Sequence, residues 1–198
     1  MQDDQLVGLF LEGERRAFEA LVLRHQNRVF GFCVRLLGNK SLAEEAAQEV
    51  LVKVFKNLHR FRGDSKFTTW LYRVTLNHCR NVQAYRARRH EKRHDSLDAT
   101  KEDEEGSTRK RELADSRPGA EHQLLKGEQL RLLQEELSKL DPIWKEILLL
   151  RDVEGLSYEE IGQMLELAAG TVKSRIHRAR GELKGRMKRR MKGDARLS

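Results

Sequence analysis

Hydroxyl and guanidinium side chains recur at helical spacing towards the C-terminal end of the chain. Four of them stand at i, i+3, i+4 and i+7, so a helix would project them from one side: Thr171, Ser174, Arg175 and Arg178. Lys173 and His177 flank this row. Such groups donate hydrogen bonds to phosphate oxygens and to base edges. The pattern therefore predicts a helix face that binds nucleic acid.

A shorter helix is predicted immediately before this one. Ser157 and Glu160 have the spacing of a capping box, which starts a helix. A turn at Leu167–Gly170 then separates the two helices, so the pair reads as a helix-turn-helix whose second helix enters a DNA major groove. A basic solvated face is the alternative interpretation. The continued run of basic residues after the pair favours a nucleic-acid partner.

The composition indicates a basic, helical protein. The 198 residues carry a formal net charge of +8 and the pI is near 9.7, so a polyanionic partner is expected. Apolar residues recur at helical spacing without strand-like alternation, which predicts an all-α fold. Periodicity fails where acidic residues and a Pro-Gly pair cluster. The expected architecture is two small helical domains, the second with the helix-turn-helix, joined by a flexible linker: 1–93, 94–121 (linker) and 122–198.

Three helices are predicted in the N-terminal domain, at residues 14–37, 41–59 and 67–93. Ser41 and Glu44 have capping-box spacing at the start of the second helix. Phe55 is expected in the buried stripe of that helix. Gly63 interrupts the helical period before the third helix, so a loop is expected there.

The third helix combines aromatic rings with arginines and amides. Tyr72, Asn77 and Asn81 are expected on its outward side, and its end is strongly basic. Unstacked bases stack on aromatic rings and offer their edges to amides, so this composition suits single-stranded or distorted DNA. Packing of the rings in the core is the alternative.

Several other classes of protein are disfavoured. The acidic start of the chain does not resemble a signal peptide, and no apolar run is long enough to span a membrane, so a cytoplasmic protein is expected. No cofactor motif or catalytic cluster is present, so no enzymatic activity, cofactor or metal is predicted. His90 and His94 could share a metal, but among basic neighbours they are expected to be solvated or to face phosphate. Cys33 and Cys79 are expected to pack as small apolar residues, with a redox pair as the alternative.

Two blocks of the sequence resemble bacterial sigma factors of the extracytoplasmic-function (ECF) group, especially the sigma-E-like members. Residues 43–81 read AEEAAQEVLVKVFKNLHRFRGDSKFTTWLYRVTLNHCRN and resemble sigma region 2. Residues 156–180 read LSYEEIGQMLELAAGTVKSRIHRAR and resemble region 4. Many members of the group have Gly and Ser in the helix-turn-helix turn, where this chain has Glu166 and Ala168.

The resemblance implies roles for particular residues. Region 2 of the family binds core RNA polymerase, and the matching positions are Glu45, Gln48 and Glu49. The minus-10 promoter element would be read by a loop and by amides on the next helix: Phe61, Arg62, Asp64, Ser65, Asn77 and Asn81. Region 4 would read the minus-35 element as duplex through the second helix of the helix-turn-helix: Thr171, Lys173, Ser174, Arg175, His177 and Arg178.

The implied function is promoter-specific initiation of transcription as a subunit of RNA polymerase. An anti-sigma protein, often bound to the membrane, is the further partner that the resemblance implies. The alternative is a stand-alone helix-turn-helix regulator, for which a dimerisation element or a ligand-binding domain would be expected; the sequence indicates neither.

Overall fold

A computed structural model of the protein describes residues 1–95 and 131–194. The regular structure in both ranges is helical throughout, which confirms the predicted fold class. Most of the predicted linker lies outside the described residues, as do the side chains of His90 and His94. The N-terminal unit contains four α-helices: α1 (Asp3–Leu11), α2 (Arg15–Leu37), α3 (Lys40–Asn57) and α4 (Phe67–Asp95). A short 3-10 helix, Leu58–Arg60, follows α3.

The C-terminal unit begins with a helix at residues 131–138, here called α5. Three further helices follow it: α6 (Pro142–Leu148), α7 (Tyr158–Leu165) and α8 (Ala169–Asp194). Asp141 caps α6, because its carboxylate accepts a hydrogen bond from the Ile143 backbone N–H at 2.9 Å, and Pro142 follows at the first helical position. A π-helical turn, Leu149–Val153, continues α6.

The core of the N-terminal unit lies where α2, α3 and α4 pack together. Their inward positions recur at helical spacing and carry apolar side chains, so each helix buries one face. Burial of a large apolar side chain stabilises the fold by about 1.5 to 3 kcal/mol. Examples of fully buried residues are Leu21, Val29, Phe32, Val50, Leu58, Leu71 and Leu76.

Helix α1 was not predicted from the sequence. Gln2 and Gln5 form a capping box at its start, and Leu6 and Val7 are buried. The Asp3 carboxylate joins it to α2 through the His25 ring, with 2.9 Å between Oδ2 and Nε2. The stretch has only nine residues, and short helices depend on such tertiary packing more than on their own sequence.

The predicted capping box at Ser41 is wrong. Helix α3 begins one residue earlier, at Lys40, and Asn39 caps it by accepting a hydrogen bond from the Leu42 backbone N–H at 2.9 Å. Gly38 ends α2 in the left-handed conformation, with φ of 72°, which a glycine adopts without steric cost. Only Gly38 and Asn39 separate the two helices, so Ser41 already lies inside α3 and is not its cap.

Phe55 was expected in the buried stripe of α3, and this prediction is also wrong. Its side chain is 45% exposed and lies at the edge of the core, against the rings of Phe10 and Phe18. The ring centroids are 5.5 and 5.0 Å away, in edge-to-face arrangements. Because α1 supplies Phe10, a prediction that omitted α1 could not place this ring.

Candidate nucleic-acid interface

The second helix of the helix-turn-helix presents its predicted contacts on one face. The buried side of α8 carries Val172, Ile176 and Ala179. The six predicted minus-35 residues lie on the remaining surface, four of them exposed and Thr171 and Arg175 half-buried: Thr171, Lys173, Ser174, Arg175, His177 and Arg178. The structure therefore brings all six side chains together on one helix.

Two side chains on this helix are already bonded within the C-terminal unit. The Ser174 hydroxyl donates to the Thr171 carbonyl oxygen at 2.9 Å. The Arg180 guanidinium pairs with the Asp152 carboxylate, with 3.1 Å between Nε and Oδ2. That pair orients Arg180 towards the π-helical turn after α6 and away from the row that contains Arg175 and Arg178. We therefore expect Arg180 to support the helix pair.

The turn between α7 and α8 is tight. The predicted capping box at Ser157 and Glu160 is present, and the bond from the Ser157 N–H keeps the pKa of Glu160 below its usual value. Glu166 ends α7 in the left-handed conformation, with φ of 57°, which costs a non-glycine residue about 1 to 2 kcal/mol. A Cβ atom on Gly162 would lie 2.6 Å from the Leu167 carbonyl oxygen, so only glycine fits there without a shift.

The predicted minus-10 residues lie along α4 and the loop before it. Arg62 and Asp64 in the loop are exposed, as are Asn77 and Asn81 on the helix, and Ser65 is half-buried. Asn77 lies ten residues after the start of α4, about 15 Å along the helix. The six predicted residues therefore form an extended surface, with the loop and the amides at different places along it.

Phe61 is the member of this set that the structure places differently. Its ring packs against Phe67 and Trp70, with centroids 6.1 and 5.6 Å away, and it is only half exposed. Aromatic packing of this kind fixes the loop at its first residue. Phe61 is therefore held against other rings, while Arg62 and Asp64 are exposed.

A groove between α3 and α4 brings predicted polymerase contacts next to a predicted DNA contact. Glu45, Glu49 and Asn81 all line it. At its base the Lys53 ammonium lies 2.6 Å from Nδ1 of His78. Burial, together with this nearby positive charge, lowers the pKa of His78, so its ring is neutral at pH 7.

All three predicted polymerase contacts are exposed. Glu45, Gln48 and Glu49 lie within two turns of α3, and Gln48 stands beside the groove that the two glutamates line. The Glu49 carboxylate is 3.6 Å from Nε2 of the neutral His78 ring. An exposed carboxylate can pair with a basic partner surface.

Sequence reasoning missed a contact between the two helical units, centred on Glu154. This carboxylate is 3% exposed. It pairs with Arg35 at 2.9 Å and with Arg28 at 3.5 Å, and it accepts a hydrogen bond from the Tyr72 hydroxyl. Burial, reinforced by the bond to Glu154, raises the pKa of Tyr72. Tyr72 was expected to face outward, and this prediction is wrong because its ring is buried under the C-terminal unit.

A second group of polar contacts joins the units further along α4. The Arg80 guanidinium donates two hydrogen bonds to the Glu146 carboxylate, at 2.9 and 2.6 Å, which raises the pKa of Arg80. Lys145 is buried and donates to the Leu36 carbonyl oxygen at 2.7 Å. Burial lowers the pKa of this lysine. Lys145 and Glu146 are adjacent on α6, so this one short helix supplies both residues of the second group.

Glu154→Gln should loosen this contact between the units. The substitution removes the charge that holds Arg28 and Arg35, and we expect the contact to weaken by about 1 to 3 kcal/mol, since Arg28 remains half exposed. Small-angle scattering should show a larger radius of gyration with unchanged helix content. Glu159→Gln, at an exposed position of the same unit, is the control and should leave the radius unchanged. Equal radii for wild type and Glu154→Gln would contradict the prediction.

Comparisons with known proteins agree with both blocks of the sequence. The family model for sigma-70 region 2 matches residues 21–93, and the model for sigma-70 region 4 matches residues 130–183. The RNA polymerase sigma-H factor of Pseudomonas aeruginosa is 39% identical over 179 residues, which cover 90% of each chain. The chain belongs to the ECF group of the sigma-70 family. The match to region 2 disfavours the stand-alone regulator, because a lone helix-turn-helix would match region 4 only.

Further relatives of this sigma factor agree with the assignment. The ECF RNA polymerase sigma-E factor of Haemophilus influenzae is 33% identical over 180 residues, which cover 91% of this chain and 92% of that protein. The fold is similar to that of the sigma factor RpoE from Bartonella quintana, which was solved with the anti-sigma factor NepR. The TM-score is 0.65 at 22% identity, over 86% of this chain and 96% of that chain.

Within the residues that the structure describes, no helix of this sigma factor is both long and apolar enough to cross a membrane. The same residues contain no group of three or more His, Cys, Asp or Glu side chains that could hold a metal ion.

Proposed function

We propose that this sigma factor binds core RNA polymerase and directs transcription from specific promoters by recognising the minus-10 and minus-35 elements. The observation that supports the proposal is the division of exposed polar side chains between two helical units. One unit presents a loop and amides, and the other presents a basic helix. Each surface suits a different form of DNA, and neither alone would define a promoter. The proposed domain boundaries are 1–93 and 122–198.

The C-terminal unit would read the minus-35 element as duplex. Helix α8 has the length and the polar face that a recognition helix needs in a major groove. An arginine side chain can donate two hydrogen bonds to guanine, and this pair of bonds distinguishes guanine from the other bases. Arg175 and Arg178 are therefore the proposed base contacts, while Lys173 and the hydroxyls contact phosphates and fix the register.

The N-terminal unit would read the minus-10 element as a single strand. Extruding a base from the duplex costs a few kcal/mol, and specific contacts to the exposed base edge can offset that cost. The loop at residues 61–65 offers charged and hydroxyl groups on a rigid aromatic support. Asn77 and Asn81 offer donors and acceptors to base edges further along the strand.

The contact between the two units has a consequence for initiation. The two promoter elements are separated along DNA, so the recognition surfaces have to separate to read both. While Glu154 and Glu146 hold the units together, only a fraction of the free protein is competent to bind a promoter, and its apparent affinity falls by that fraction. We propose that core polymerase, by binding the two units at different places, stabilises the separated form.

The exposed face of α3 is the proposed polymerase site. Glu45, Gln48 and Glu49 would face a basic surface of the polymerase. An anti-sigma factor that covers this face would block assembly, and we propose such a partner for this chain in a response to stress. The protein would act in the cytoplasm, as a regulator without catalytic activity or a cofactor.

Asn77→Ala should impair strand opening more than duplex binding. Loss of the side-chain amide removes contacts that form only after the base leaves the stack, and we expect open complexes to form about 10-fold more slowly. The measurement is the rate of permanganate reactivity at the minus-10 element with holoenzyme. Asn27→Ala, at an exposed amide on α2, is the matched control and should open the strand normally. Normal opening by Asn77→Ala would remove this residue from the proposed site.

A further inference from the structure

Two cysteines face each other inside the N-terminal unit. Cys33 on α2 and Cys79 on α4 have their sulfur atoms 3.7 Å apart, although the two residues are 46 positions apart in the chain. Their side chains are buried, at 0% and 1% exposure. They are also the sole cysteines of the 198-residue sequence. A thiol that is oxidised here has one partner within reach.

We propose that Cys33 and Cys79 form a site for reversible oxidation by peroxide, which joins α2 to α4 through a disulfide. A disulfide has a sulfur–sulfur distance near 2.0 Å, so the two sulfurs have to approach by about 1.7 Å in total. Rotation of the Cys33 and Cys79 side chains can bring the sulfurs together, because each side chain supplies part of this distance. Both residues lie within long helices that already pack together, so the backbones are held in place for the bond.

The chemistry assigns a different part to each sulfur. The Cys79 thiol donates a hydrogen bond to Cys33, which lowers the pKa of Cys33 and makes it the better nucleophile. The Cys33 thiolate attacks one peroxide oxygen, the O–O bond breaks, and a sulfenic acid forms with release of hydroxide. The Cys79 sulfur then attacks that sulfur, and water leaves. The sum is two thiols and one hydrogen peroxide giving one disulfide and two waters.

Access to the thiols runs through the contact between the units. Arg80, next to Cys79, holds Glu146, and Lys145 is bonded to Leu36, three residues after Cys33. Glu146 and Lys145 both belong to α6, so these bonds hold α6 beside this end of the pair. Peroxide should therefore reach the thiols faster when the two units separate.

Oxidation would also affect the proposed minus-10 surface. Asn77 and Asn81 stand two residues on either side of Cys79 on α4, so a covalent bond from that residue to α2 restrains the segment that carries both amides. This consequence rests on the proposed function. Formation of the disulfide does not, because it depends only on α2 and α4.

The experiment treats the reduced full-length protein with hydrogen peroxide, quenches it, denatures it in an alkylating reagent without reductant, and measures its intact mass. The expected product is a monomer about 2 Da lighter than the reduced, unalkylated protein, in which neither cysteine has reacted with the alkylating reagent. Dithiothreitol should restore both thiols. Its urea midpoint should be higher, since the bond restricts the unfolded chain. Cys33→Ala and Cys79→Ala should each fail to give this product. Two free thiols after treatment, dimers, or stable oxygen adducts on one cysteine would overturn the proposal.

A second arm tests access and needs no polymerase. Glu146→Gln weakens the ion pair with Arg80, so the two units should separate more often and expose the thiols. The disulfide should therefore form at least about 3-fold faster than in wild type. Glu159→Gln is the control and should react at the wild-type rate. Equal rates for Glu146→Gln and wild type would overturn the assignment of α6 as the cover.

Discussion

Glu49→Lys should lower the affinity of this sigma factor for core RNA polymerase on the order of 100-fold, because it places a like charge against a basic partner surface. The Glu49 side chain is 66% exposed, and its carboxylate lies 3.6 Å from Nε2 of His78, whose pKa is lowered by burial. Its exposure leaves the carboxylate accessible to a basic surface of the polymerase. The added lysine would also stand at the groove that Lys53 already lines.

The measurement is the binding of labelled sigma factor to core polymerase, with helix content and thermal unfolding measured beside it. Glu19→Lys makes the same charge reversal at an exposed site on α2, outside the proposed face, and should bind nearly as wild type does. An equal loss for both variants would indicate a general effect of net charge. Normal binding by Glu49→Lys would remove α3 from the proposed polymerase site.

Arg175→Ala should weaken the binding of holoenzyme to the minus-35 element by about 1 to 3 kcal/mol, roughly 5- to 150-fold, if Arg175 bonds a base edge. Its side chain is half-buried on α8, between the exposed Ser174 and Arg178 of the same row. Replacing the base pair that Arg175 contacts should abolish the difference in affinity between wild type and variant. Replacing any other base pair of the element should leave that difference unchanged.

Arg180→Ala is the matched control for Arg175→Ala. It removes the same guanidinium from the same helix, but this one is bonded to Asp152. It should lower the stability of the C-terminal unit without changing the preference among promoter sequences. If Arg175→Ala weakens binding equally on promoter and scrambled DNA, Arg175 contacts a phosphate and not a base.

The features predicted correctly from the sequence are those that neighbouring residues determine. The capping box at Ser157 and Glu160 involves residues three positions apart. The shared placement of the polar row on α8 follows from helical spacing alone, while its binding to DNA stays a prediction. Such patterns are visible in a single segment, so they predict the fold class and the helix-turn-helix without knowledge of the rest of the chain.

The features that were missed depend on contacts between distant segments. Glu154 lies 82 positions from Tyr72 and 119 from Arg35, and nothing in the spacing of these residues indicates that they meet. A tyrosine among polar residues was therefore placed on the surface, although its hydroxyl has a buried carboxylate as partner. The position of Phe55 depended in the same way on α1.

The central claim is tested most directly by transcription in vitro with core RNA polymerase on a pool of genomic promoter fragments, with and without this protein. We predict transcripts that begin at discrete sites only when the protein is present, with upstream sequences that share a minus-10 and a minus-35 element. If core polymerase gains no specificity while the protein alone retains particular fragments, the protein acts as a stand-alone regulator, and the roles proposed for the N-terminal unit are wrong.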